Sequence, residues 1–273
     1  MRMLPLFKSH YSIGKSILTL GPRTISSRIS FTDTTTPVGD PASSIFSIAD
    51  SHRELLNNKV ILVEDSLVGF LEAKKHADNL GIQLVFGLRI DICDDMSIVP
   101  DKKNPLCIHK IVIFAKNDNG CLLLNKIYSL AFTKGGGKID FTSLKELYND
   151  KDLKIAIPFY DSYLFHNSFS YKEPCMLDDS FFDPVYFIED NKLPFDLILQ
   201  DLISNYCFEN GFETQKVKSI YYNTRSDFEA YQTYKCICSR GFSNKAKTLD
   251  MPNLDHCASP EFCFESYKEN ESS

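Results

Sequence analysis

Tryptophan is absent from this 273-residue chain, and only six histidines and twelve glycines are present. No run approaches about 20 consecutive apolar residues, so no transmembrane helix is expected. The first 20 residues, MRMLPLFKSHYSIGKSILTL, are interrupted by Lys8, His10 and Lys15 and lead to no small-residue cleavage site, so no signal peptide is expected. No Gly-x-Gly-x-x-Gly follows an apolar run, which argues against a Rossmann cofactor site. A positive surplus is missing too. The net charge of -6 excludes a broad non-specific grip on nucleic acid, which needs a basic surface, but leaves room for a local basic groove.

Hydrophobic residues make up 43% and charged residues 24%, which fits a soluble globular protein able to bury a sizeable core. The nine cysteines are odd in number and scattered through expected strands and helices. A disulfide framework belongs to small secreted chains, so reduced thiols in a cytoplasmic setting are expected. The tightest cluster is Cys236-x-Cys238, with His256, Cys257 and Cys263 further on. Its spacing is shorter than zinc sites prefer.

Apolar runs alternate with helical patterns along most of the chain. KVILVED, IQLVFGLRIDI, HKIVIFAKN, LKIAIPFY, PVYFIED and KVKSIYYN read as strands. Between them SLVGFLEAKKHADNLG reads as a helix capped by Asp65 or Ser66 and ended by Gly81. FTSLKELYN starts another with Thr142 or Ser143 as cap, and LPFDLILQDLISNYCFENG closes at Gly211. Strands this apolar are buried on both faces, as in a parallel sheet covered by helices, and at this length a closed βα barrel is favoured. Residues 21–43, rich in Ser, Thr, Pro and Gly, read as a long exposed loop, and residues 242–261 as a second irregular segment. A frayed tail is expected at 269–273.

Two stretches invite chemistry. KGGGK, Lys134 to Lys138, lacks the spacing and the following Ser or Thr of a phosphate loop, so it reads as a connector between helices. In a parallel βα protein chemistry sits at the C-terminal ends of the strands. That rule nominates Lys8 and His10, Glu64 and Asp65, Arg89 and Asp91, Lys116 and Asn117, Tyr160 and Asp161, Glu189 and Asp190, and Tyr221, Tyr222 and Asn223. His109 begins its strand, so it falls at the opposite end. The list is poor in histidine and holds no coherent metal set. Glu64 and Asp65 serve equally well as charges at the start of the following helix.

The order of these segments resembles the polymerase and histidinol phosphatase (PHP) domain of bacterial DNA polymerase III alpha subunits. HYSIGKSIL, VILVEDSLVGFLEAKKHADNLGIQLVFGLRI, HKIVIFAKNDNGCLLLNKIYSLAF, IDFTSLKELYNDKDLKIAI, VKSIYYNTRSDFEAYQTYKCI and SPEFCFESYKE carry the resemblance in order, over roughly Leu4 to Lys268. It implies a distorted seven-stranded βα barrel, related to the TIM barrel, as a single domain over residues 1–268. Active members hold up to three metals and hydrolyse phosphoesters.

Here the family's ligand positions carry other residues. Its opening His-x-His falls on Leu6 and Lys8, with His10 two residues later. Its Asp-His pair falls on Val63 and Glu64, its strand Glu on Arg89, its Cys on Tyr160 and its final Asp-x-His on Ser219 and Tyr221. Of those ligand types only His109 is kept. Lys8 and Arg89 bring fixed positive charge that repels metal, and Glu64 and Asp65 are expected to pair with Arg89 or Lys8. The resemblance therefore implies a vestigial pocket and no catalysis. It points to a scaffold or accessory subunit in DNA replication, as a stand-alone chain or a separated fragment. Its partner would be a replicative polymerase polypeptide or a proofreading exonuclease, with DNA met indirectly, no cofactor and no membrane. Two alternatives remain. One is a phosphoesterase or nuclease using Glu64, Asp65, His109 and His10 with Mn, Zn or Mg. The other is a phosphate or nucleic-acid-end binding module built on Lys8 and Arg89.

Overall fold

The computed structural model describes residues 2–26, 35–38, 44–98, 106–169, 175–238 and 259–272. Ten strands and eight helices alternate through them. In chain order they are β1 (Leu4–Phe7), β2 (Arg23–Ser26), β3 (Thr35–Val38), α1 (Ile45–Ser51), β4 (Lys59–Glu64), α2 (Phe70–Leu80), β5 (Gln83–Cys93) and β6 (Ile108–Ala115). Then come α3 (Asp118–Thr133), β7 (Lys138–Asp140), α4 (Phe141–Leu147), β8 (Leu153–Ile157), α5 (Tyr163–Phe169) and β9 (Val185–Ile188). The last are α6 (Asp196–Asn210), β10 (Glu213–Ile220), α7 (Phe228–Cys238) and α8 (Phe264–Ser272). No helix among the described residues is long and apolar enough to cross a membrane.

Strand pairing runs β4-β1-β10-β9-β8-β6-β5 and closes through β4–β5, giving a seven-stranded barrel, with β7 added beside β5. The barrel is mixed where a parallel one is expected. β6 runs antiparallel to both β5 and β8, while β1–β4, β8–β9, β9–β10 and β5–β7 are parallel. Parallel neighbours need a crossover connection, usually a helix. Residues 94–98 and 106–107, between β5 and β6, contain none, so the chain turns back on itself.

The chain divides into two compact units. One holds Met1–Leu4, Val63–Leu67 and Val85–Lys218; the other holds Pro5–Leu62, Val68–Leu84 and Ser219–Ser273. In sequence β1, β4, β5 and β10 cross the division.

In the first unit, buried Ile90, Ile92, Ile111, Ile113 and Ile155 form the sheet's side of the core. α3 packs through Gly120, Leu124, Ile127 and Ala131, spaced four, three and four as a helix face requires. At Gly120 a Cβ would meet the Asp152 carbonyl oxygen at 2.3 Å, so only glycine lets the helix start this close to that loop. The Asn117 side chain caps α3 by accepting from Gly120 N at 2.9 Å. α4 is capped by Asp140, which accepts from Ser143 N at 2.7 Å, and not by Thr142 or Ser143. KGGGK joins α3 to β7 rather than to a helix. Gly136 and Gly137 adopt φ of 61° and 96°, and Lys138 Nζ folds back onto the Gly135 carbonyl at 2.9 Å.

One cysteine pair departs from the expected reduced state: Cys107 and Cys175 are joined as a disulfide. Their Cα atoms lie 5.5 Å apart, inside the range a bridge spans without backbone movement.

In the second unit the N-cap of α2 is Gly69, four residues later than Asp65, and its C-cap is Gly81 in the left-handed conformation. The 21–43 segment is not wholly irregular: β2 and β3 pair antiparallel, Arg23 opposite Val38 and Ser26 opposite Thr35. Residues through Ser272 are helical where a frayed tail is expected, because Phe264 and Tyr267 are buried and anchor α8. A clasp fixes that helix. The Arg225 guanidinium, at a short 3₁₀ turn (Arg225–Asp227), binds Glu261 at 3.1 and 3.0 Å and Glu269 at 2.8 and 2.7 Å, while its backbone N–H donates to Glu265 at 2.8 Å. Such forked pairs gain from geometry as well as charge.

Arg225→Met removes the cation and leaves three carboxylates in mutual repulsion. The expected loss is about 1–2 kcal/mol, discounted because the pair is partly exposed, read as a lower urea midpoint. A smaller loss is expected for Arg225→Lys, which keeps charge without the fork.

Candidate functional site

In β5 successive side chains alternate between faces, so Arg89 and Asp91 share one and Leu88, Ile90 and Ile92 the other. The antiparallel register places Asp91 opposite Lys110 and Ile92 opposite His109. Lys110 Nζ reaches Asp91 Oδ1 at 2.5 Å, as same-face neighbours should. His109 therefore shares its face with Ile92 and points away from Arg89. The reversal of β6 does bring residue 109 to the end of the barrel where β5 and β8 finish, unlike the expectation for a parallel strand. The pleat then turns its side chain to the far face, where its ring lies 6.2 Å from Phe141 and 5.6 Å from Tyr163. The one retained ligand type is thus not grouped with Arg89.

Arg89 is only 6% exposed and sits between two carboxylates. Its Nη2 makes a short hydrogen bond to Asp161, and Nη1 lies 3.7 Å from Asp65 Oδ1. Asp161 follows β8 with φ of 62°, a left-handed conformation that Asp tolerates better than most residues, and its carbonyl accepts from Lys110 N at 2.8 Å. The expected pairing of Asp65 with Arg89 is present; Asp161 is the closer partner. Glu64, at the end of β4, is wholly buried.

Tyr160 stands where the resemblance expects a cysteine ligand. Its hydroxyl donates to Asp196 Oδ1 at 3.0 Å and accepts from Asn191 Nδ2 at 3.0 Å. Asn191 Nδ2 also donates to Glu189 Oε2 at 3.0 Å. Asp196 Oδ2 accepts from the backbone of Asn191 at 2.8 Å and Leu193 at 3.1 Å. Burial pushes the Tyr160 phenol well above its ordinary range, and the charges of Glu189 and Asp196 push the same way. The phenol is thus held as a hydrogen-bond donor. Burial also raises Asp196, with its hydrogen bonds opposing. Asn191 and Asp196 escape a reading based on strand ends. Asp196 sits in the first turn of α6, and its only signal in sequence is a carboxylate between Phe195 and Leu197.

Of the other candidates, Lys8, His10, Ser219 and Tyr221 belong to the second unit. Lys8 is 4% exposed and its backbone N–H donates to the Ile220 carbonyl at 3.1 Å. The His10 ring lies 4.2 Å from that of Tyr11. Ser219 is half-buried. Tyr221 stacks between Phe262 at 5.2 Å and Tyr231 at 5.8 Å, a packing role in place of a metal ligand's. Cys236 and Cys238 lie on α7 and Cys263 is buried, while His256 and Cys257 fall outside the described residues.

These residues do not fit the divalent metals that the resemblance implies. A buried guanidinium occupies one ligand position, the retained histidine faces the other side of the sheet, and the Tyr160 hydroxyl is committed to Asp196. Among the described residues no three His, Cys, Asp or Glu side chains are placed to hold a metal. No protein-family model matches the chain, and neither does any curated protein.

Two predictions test this geometry. Arg89→Met leaves Asp161 and Asp65 without their cation and is expected to cost about 3 kcal/mol. Asp161→Asn keeps the left-handed backbone and removes only charge. A double-mutant cycle in urea should return at least about 1 kcal/mol of coupling between the two.

The second concerns His109, 1% exposed, whose pKa burial lowers from 6.5 to about 4. Nearby His166 lowers it further, and Asp91 with the backbone of Lys110 and Met176 only partly oppose. The fold binds this proton more weakly than the unfolded chain does. Stability is therefore full above the ordinary histidine range and falls as pH drops from about 6.5 toward 4, by roughly 2–3 kcal/mol. In the disulfide-bonded protein His109→Phe should flatten that slope in thermal melts.

Proposed function

We propose that this chain is a PHP-like barrel without hydrolytic activity that works in DNA replication. On this reading it is a scaffold or accessory subunit that binds a replicative polymerase polypeptide or a proofreading exonuclease in the cytoplasm and meets DNA only through them. The observation that carries the reading is Arg89, a buried cation held by Asp161 and Asp65 where the resemblance expects a metal-binding carboxylate. A fixed positive charge at that depth opposes cation binding and cannot be titrated away. The seven-stranded barrel and the order of the resembling segments support the same reading.

Two assays on the intact chain test it. In the first, Mn2+, Zn2+ or Mg2+ is supplied with a phosphomonoester and with single-stranded DNA; no turnover is expected. Turnover that disappears in Glu64→Ala would show a working site and overturn the proposal. In the second, the polymerase polypeptide and the exonuclease encoded in the same genome are titrated calorimetrically. One-to-one binding of either is expected, and heat-free titrations with both would remove the scaffold role.

A further inference from the structure

Four large aliphatic side chains of the second unit stand out into solvent: Ile13, Val68, Leu71 and Ile237 are between 62% and 79% exposed. Contacts among three short segments bring them together. The Tyr11 ring lies against Gly69, where a Cβ would meet it at 2.7 Å, and its hydroxyl donates a short hydrogen bond to Glu72. The turn that carries Ile13 is thereby pinned to the start of α2. There Val68 directly precedes the N-cap, Gly69, and Leu71 stands in the first turn. On its other side the same turn meets the end of α7. A Cβ at Gly14 would lie 3.6 Å from Cys238 Cβ, and the Tyr231 hydroxyl donates to the Gly14 carbonyl at 3.4 Å. Ile237 is the chain neighbour of Cys238.

The charge of these segments has one sign in excess. Residues 11–15, 68–78 and 231–238 hold four lysines, Lys15, Lys74, Lys75 and Lys235, against two carboxylates, Glu72 and Asp78. Both carboxylates are engaged, Glu72 by Tyr11 and Asp78 by Lys74 at 2.6 Å. On a chain of net charge -6 this is a local positive surplus. Exposed aliphatics grouped with charge of one sign mark an interaction surface. An anionic bilayer is a plane and would face a whole side of an acidic chain, whereas a protein segment meets the patch alone.

We propose that Ile13, Val68, Leu71 and Ile237 form a docking surface for an acidic amphipathic segment of the replication partner. Its apolar anchors cover the aliphatics and its Asp or Glu side chains face the lysines. This rests on the scaffold reading above and adds to it the surface used and the chemistry of the partner's side. Burial of the aliphatics supplies the affinity, and the lysines set the orientation and speed the encounter.

Calorimetric titration of the intact chain with the polymerase polypeptide and the exonuclease of the same genome tests it. Ile13→Ser combined with Leu71→Ser should weaken whichever partner binds at least tenfold. Lys75→Glu combined with Lys235→Glu should do the same and reduce the salt dependence. Phe208→Ser, at an exposed position of α6 in the first unit, should change nothing. In the wild-type complex hydrogen exchange should slow at residues 11–15 and 68–75, a readout that needs no variant to fold. Binding unchanged by either double variant, or no slowing at those residues, would overturn this proposal and leave the scaffold reading standing. A wild-type chain that binds neither protein would remove both. Phosphatidylserine vesicles should not sediment the chain; sedimentation that is lost in the Ile13→Ser, Leu71→Ser variant would assign the surface to a membrane and overturn the proposal.

Discussion

β6 runs against both of its neighbours, and the arrangement of the chemistry in the first unit depends on that reversal. It sets the register that pairs Asp91 with Lys110 and Ile92 with His109. It lets Lys110 N meet the Asp161 carbonyl, which fixes the turn that aims Asp161 at Arg89. A parallel β6 would enter from the other end of the barrel and carry residues 109 and 110 away from this cluster.

The reversal also separates two kinds of polar burial. On Arg89's face, charge is balanced by charge: the guanidinium is flanked by two carboxylates. On the face of His109, a neutral imidazole lies beside the rings of Phe141 and Tyr163. Ionised groups suit the first setting because their partners offset desolvation. A neutral imidazole suits the second, where burial penalises the charged form. One layer of backbone keeps the two chemistries apart.

Much of the fold is legible from residues. Gly81 and Gly211 end their helices in the left-handed conformation, as expected of glycine after an amphipathic run. The six apolar strands fall where alternation and β-branching place them. Strand direction is not legible, because a two-residue period reads the same both ways. Helix starts fare worse: Asp140, the last residue of β7, caps α4, and Gly69 begins α2 without any side-chain cap. α8 is hidden by its polar composition, and two buried rings, Phe264 and Tyr267, hold it. Within the candidate site the Asp65–Arg89 pair follows from charge and order. The stronger pairing with Asp161, and the Tyr160–Asp196–Asn191 network, need chain segments far apart in sequence to meet, which no local pattern encodes.

A guanidinium keeps its proton at every pH a cell reaches. Lysine in the same setting would lose its charge readily once buried, and histidine would switch within the physiological range. With Arg89 as its centre, the strand-end cluster has a cation that gives no proton signal. Arg89 is buried between Asp65 and Asp161, so this permanent charge acts on those two carboxylates rather than on the surface.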